Sequence, residues 1–137
     1  MRAFILLAAG AALGLVGAWL TLGGGSGGEA GGRAVAADPV IPQLSAYQSA
    51  GRKLFNDNCA ACHGENATGT DQGPPFLNPI YKPSHHGDMS FYMAAQRGVR
   101  AHHWRFGDMP AQTQITQEEV RPIIAYVRAL QRANGID

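Results

Sequence analysis

Cys59 and Cys62 are the only two cysteines of this 137-residue chain, and His63 follows the second directly. In the run Cys59-Ala60-Ala61-Cys62-His63-Gly64, two thiols three residues apart can form thioethers to the two vinyl groups of one haem, while the next residue, histidine, ligates its iron. Other uses of the pair fit less well. A zinc site would need two further ligands at finger-like spacing, and there is no second cysteine pair. A thioredoxin-like redox pair would need a strand before it and a βαβ setting, whereas the residues before Cys59 are patterned as a helix. Two cysteines also exclude a disulfide-stapled scaffold.

A haem iron held by His63 needs a sixth ligand on its other face or an open site there. Met109 is the candidate ligand: it lies 46 residues after His63, before Pro110, in a loop opened by Gly107. A thioether sulfur is a soft ligand that favours reduced iron and raises the potential. Met89 and Met93 fall in a helical stretch and read as core gap-fillers. Trp104 and Arg105 carry N–H donors suited to a haem propionate, and Tyr81 is a third candidate; surface packing is the alternative for each. His85-His86 and His102-His103 form two adjacent pairs. Neighbours on a helix point in different directions, so neither pair is a metal clamp by itself. The four could converge and bind copper or zinc, or compete for the iron; exposed or propionate-contacting imidazoles are the plainer reading and the favoured one.

These residues need elements to place them. SAYQSAGRKLFNDN, with Ser45 as N-cap and Tyr47, Ala50, Leu54 and Phe55 near helical spacing, predicts a helix that delivers the chain to Cys59. A middle helix is predicted from about Asp88 to Arg97, stopped by Gly98. The last segment has the capping box Thr116-x-x-Glu119, followed by a stripe of Val120, Ile123, Ile124, Val127 and Leu130, and ends near Gly135. Pro122 in its second turn leaves the carbonyl of Glu118 without a partner. Residues 43–137, taken as the folded domain, carry nine basic and eight acidic side chains. A nucleic-acid binder would show a basic excess, so that class is set aside. A domain this small struggles to build a sufficient core, and a large apolar cofactor would supply what is missing.

With an early C-x-x-C-H, a Gly-Pro loop after it, a late Met-Pro and a terminal helix bearing Tyr126, residues 45–134 resemble the class I, monohaem cytochrome c family, membrane-anchored type. The resemblance implies an all-α fold of about four to five helices around one covalent haem c. It implies a crossing of the first and last helices, with Gly51, Phe55 and Tyr126 at the contact. It also implies a proline whose carbonyl accepts a bond from the proximal histidine, matched by Pro74, with the adjacent Pro75 left open. The function implied is single-electron transfer between redox complexes, such as a quinol–cytochrome c reductase and a terminal oxidase or reaction centre, and not enzymic catalysis. The alternatives are a fixed haem subunit of a larger oxidoreductase or photosynthetic complex, and a haem enzyme or gas sensor, which would require Met109 to leave the iron.

Ahead of the domain, residues 3–22 are uncharged, and Thr21 supplies the one strongly polar group. Twenty helical residues reach about 30 Å, the thickness of a bilayer hydrocarbon core, so residues 1–22 are expected to be a transmembrane anchor. The alternative is a secretory signal cleaved after Ala34-Val35-Ala36. Seven of the 18 glycines fall within residues 23–32. They include a G-x-G-x-x-G that lacks the strand and helix a dinucleotide site needs, so residues 23–42 read as a flexible tether. Arg2 before the span favours an orientation with the haem domain in the periplasm of a bacterial-type inner membrane.

Overall fold

The structure is a computed structural model and describes residues 38–137. The predicted anchor and most of the tether lie outside the described residues. Among the described residues, no helix is long and apolar enough to cross a membrane.

Four α-helices form the domain: α1 (Ala46–Asn58), α2 (Ala60–His63), α3 (Asp88–Arg97) and α4 (Gln117–Ala133), with 3-10 turns at Glu65–Ala67 and Pro79–Tyr81. The all-α expectation is met. Helix α1 starts in a reciprocal capping box: the Ser45 hydroxyl accepts from the Gln48 N–H at 3.2 Å and the Gln48 side chain accepts from the Ser45 N–H at 2.9 Å. Its buried residues, Gly51 and Phe55, are one turn apart, while Tyr47, expected on the inner face, is half exposed. Helix α4 starts in the predicted Thr116–Glu119 box.

The core lies where α1 crosses α4. Phe55, Tyr126, Val127 and Leu130 are fully buried, and the Phe55 and Tyr126 rings meet edge to face at 5.6 Å. Gly51 of α1 meets α4 one turn earlier, at Pro122. A Cβ built on Gly51 would stand 1.9 Å from the carbonyl oxygen of Pro122, so the two backbones touch. The crossing therefore has two steps, glycine against the Pro122 carbonyl and phenylalanine against Tyr126. At the far end of α4, Val40 and Asn134 exchange two hydrogen bonds of 2.9 Å, so the last residues of the expected tether are fastened to the domain.

Helix α3 buries no residue completely. Its methionines do not fill a core. Met89, in the first turn, is 68 % exposed, and Met93 faces the cavity described below. The physical reason is that α3 turns one face to that cavity and another to α4, and presents Met89 to solvent.

Candidate functional site

A cavity of about 480 Å³ opens between the CAACH segment, α3 and the loop from Gly98 to Pro110. Its volume lies within the range of about 300–1,000 Å³ typical of small-molecule and cofactor sites. Cys59, Cys62, His63, Pro74, Tyr81, Trp104 and Met109 all border it. Arg105 does not, and is exposed. In the bend at residues 104–106, Trp104 and Phe106 turn toward the cavity and the arginine between them turns out.

The motif is held by its own backbone. The N–H of Cys59 closes α1 on the Phe55 carbonyl at 2.7 Å. The open carbonyls at the end of α2 find partners in the loop that follows: the Thr70 hydroxyl donates to Cys62 at 2.6 Å and the Gly69 N–H donates to His63 at 2.6 Å. Burial, reinforced by Cys62, pushes the Cys59 thiol up to about 11. That is the reverse of a thiolate-activating site and argues against a thioredoxin-like role.

His63 is 7 % exposed, and its Nδ1 lies 2.9 Å from the carbonyl oxygen of Pro74. The two prolines do different things: Pro74 presents that carbonyl, and Pro75 is fully buried against Gly69. With Nδ1–H donating to Pro74, Nε2 keeps its lone pair. Burial holds His63 below the ordinary histidine range, although the Pro74 bond works the other way, so the ring stays neutral.

Met109 sits in a short antiparallel bridge with Val99, with both N–H···O bonds at 2.9 Å. Gly98, at φ +72°, ends α3 here. A Cβ on it would stand 2.3 Å from the Met109 carbonyl oxygen, so the approach of the methionine strand to α3 depends on glycine. The Trp104 indole N–H donates to the Tyr81 hydroxyl at 2.9 Å. Its donor is thus spent within the chain, and the hydroxyl proton of Tyr81 is the one the pair still has to offer. Burial raises the Tyr81 pKa, against the pull of the Trp104 bond, so that proton stays in place.

Two residues that no motif marked hold the cavity wall. Arg128 is 6 % exposed. It pairs with Asp88 at 2.8 Å, donates to the Tyr81 carbonyl at 2.8 Å and to that of His86, and lies 5.0 Å from the Phe91 ring centre. Gln131 is fully buried and donates to the Phe76 carbonyl at 2.9 Å. Both fall at helical spacing from Ile124 on the buried face of α4, which is the signal that could have found them. Polar side chains on an apolar stripe have to be bonded, and here they anchor the loop that carries Tyr81 and His86.

The donor set fits a covalently attached haem: two thiols and a neutral, oriented imidazole border one cavity, and the side chains around it are mostly apolar. The cytochrome c family model matches residues 48–131, more than half of the chain. The chain belongs to the cytochrome c family, and its cofactor is one covalent haem c. It is similar to the cbb3-type cytochrome c oxidase subunit CcoP of Cereibacter sphaeroides, 33 % identical over 91 residues that cover 63 % of this chain and 28 % of that protein. The corresponding subunit FixP of Sinorhizobium medicae is 34 % identical over 110 residues, or 72 % of this chain and 35 % of that one. A CcoP of Rhodobacter capsulatus is 28 % identical over 93 residues, covering 65 % and 31 %. The chain thus spans about a third of the length of the curated relatives it matches.

Proposed function

We propose that this chain is a membrane-anchored single-electron carrier, with its haem domain on the periplasmic side, and that it works with a terminal oxidase. Cys59 and Cys62 would attach the haem, and His63 and Met109 would hold its iron. The observation that carries the reading is that the CAACH segment and the bridge-fastened Met109 border one cavity. When bound, the haem supplies one reversible electron at its iron. The protein supplies the rest. Pro74 fixes the tautomer of His63 and raises its basicity. The Val99–Met109 bridge fixes the backbone behind the sulfur, and the apolar lining keeps water from the site. An arrangement held this firmly changes little between oxidation states, which suits transfer and not turnover of a substrate.

The similarity to cbb3-type oxidase subunits supports an oxidase as the electron acceptor or as the assembly to which the chain belongs. A quinol–cytochrome c reductase is the proposed donor; a reaction centre is the other acceptor the site would serve. Two observations separate carrier from haem enzyme. Oxidised protein is expected to be low-spin and to show the weak far-red sulfur-to-iron charge-transfer band, and reduced protein is expected to leave carbon monoxide unbound at neutral pH. A high-spin spectrum with ready carbon monoxide binding would reject the carrier, and a bis-histidine spectrum would move the sixth ligand to one of the histidine pairs.

A further inference from the structure

His85, His86, His102 and His103 have no part in the axial ligation proposed above, yet the fold gathers them. The two pairs come from different loops, one just before α3 and one between Gly98 and Met109. The rings of His85 and His103 stand 5.5 Å apart, those of His86 and His103 5.3 Å, and those of His102 and His103 4.2 Å. One ring nitrogen from each of His85, His86 and His103 lies within 4.8 Å of the other two. We propose that His85, His86 and His103 form a binding site for a transition-metal ion of the zinc and copper class, at the rim of the haem cavity.

The site is built from its backbone outward. The N–H groups of His85 and His86 both donate to the Lys82 carbonyl at 2.9 Å, which fixes the turn that presents them. His86 Nδ1 donates to the Ile80 carbonyl at 2.7 Å, and the neighbouring His102 does the same to Arg100 at 2.8 Å. A metal-bound histidine almost always gives its other ring N–H to such a carbonyl, and that bond leaves Nε2 as the ligand atom. The opposite loop is held by the Val99–Met109 bridge and by the bond from the Ala101 N–H to Asp108 at 2.8 Å. Desolvation, together with the nearby His102, His86 and His85, lowers the pKa of His103, which favours the neutral ring that a metal requires at that position.

The donor set selects the ion. Three imidazoles without a carboxylate or thiolate suit zinc and copper, whereas calcium and magnesium demand oxygen. Tetrahedral zinc with bonds of about 2.0–2.1 Å places its ligand nitrogens about 3.3 Å apart, so the rings must close by about 1.5 Å. His85 and His103 are exposed and free to turn by that much. Three protein ligands leave a fourth position for water or for His102, the arrangement of an exchangeable site and not a closed structural one.

The test uses the full chain with its haem, oxidised, titrated with zinc ion alone in a calorimeter. One zinc per chain is expected. The His85→Ala/His103→Ala double variant should weaken binding by more than the roughly 10–100-fold that loss of an outer-shell partner costs. Bound copper(II) should show hyperfine structure from imidazole nitrogens in its paramagnetic resonance spectrum, and affinity should fall as the pH is lowered, because protons compete with the metal for the ring nitrogens. Both substituted residues are exposed, and an unchanged melting temperature of the metal-free variant checks the fold. Equal zinc affinity in wild type and double variant would overturn the site, as would a haem spectrum altered by the double substitution without metal, since the imidazoles would then serve the haem. The proposal rests on Met109 as sixth ligand only in leaving these histidines free. A wild type without the far-red band that still binds zinc through His85 and His103 would fail the ligand assignment and keep the metal site.

Discussion

One carbonyl oxygen determines what His63 can do. The bond to Pro74 at 2.9 Å commits Nδ1 as a donor, and burial lowers the pKa of the ring, so Nε2 keeps its lone pair at neutral pH. On the sulfur side, Met109→Ala should abolish the far-red band and lower the reduction potential, because the soft ligand that favours ferrous iron is gone. Equilibrium redox titration beside the visible spectrum checks it; an unchanged band would assign the sixth position elsewhere. Cys59, Cys62 and His63 were legible in the sequence because their chemistry needs only spacing along the chain. Met109 stood out because its Gly/Pro loop makes packing a poor explanation for it. Trp104 was legible as a donor and not in its use: the partner, Tyr81, lies 23 residues away, and only the fold brings the two together.

At the scale of elements, two glycines hold helices at distances no other residue permits. Gly51→Ala places a methyl 1.9 Å from the Pro122 carbonyl, against backbone that cannot rotate away. We expect destabilisation of about 1 to 3 kcal/mol despite the gain of up to about 1 kcal/mol in helix propensity. A thermal or denaturant melt reads it, and a variant as stable as wild type would contradict the contact. Gly98→Ala acts on the site instead. At φ +72° and ψ −176° its backbone adopts a conformation that essentially only glycine visits, at a cost of about 1–3 kcal/mol to another residue, and its Cβ would displace the Met109 carbonyl. The far-red band should weaken along with the melting temperature. A lowered melting temperature with an unaltered band would show that Met109 is positioned by other contacts.

The three long helices were readable because caps and apolar periodicity are local signals. Ser45, Thr116 and Gly98 sit where the α1, α4 and α3 boundaries fall. Arg128 and Gln131 were not read, since a polar residue on a buried face makes sense only once its partners are known. The exposure of Met89 was missed for a related reason: helical periodicity tells which residues share a face, and not whether that face meets core, cofactor or water.

The whole molecule joins a haem domain to an apolar segment at residues 3–22. If that segment is an anchor, protein from native membranes should resist carbonate extraction and begin at Met1 or Arg2, as read by N-terminal sequencing. A mature N-terminus at Ala37 would make the carrier a soluble one. Affinity purification from the same membranes is expected to bring down a terminal oxidase; its consistent absence would count against the oxidase reading.

The pairing of Val40 with Asn134 has a mechanical side. The two residues are 94 positions apart and joined by paired bonds, and Asn134 also donates to the Leu130 carbonyl at 2.8 Å. A pull arriving along the chain from before residue 38 therefore reaches the last turn of α4 before it reaches the first turn of α1. The load enters beside the last turn of α4, the helix that packs against α1 at the crossing. A force on the chain ahead of residue 38 would therefore be felt first at the α4 end of that crossing, ahead of α1 and the CAACH segment that follows it.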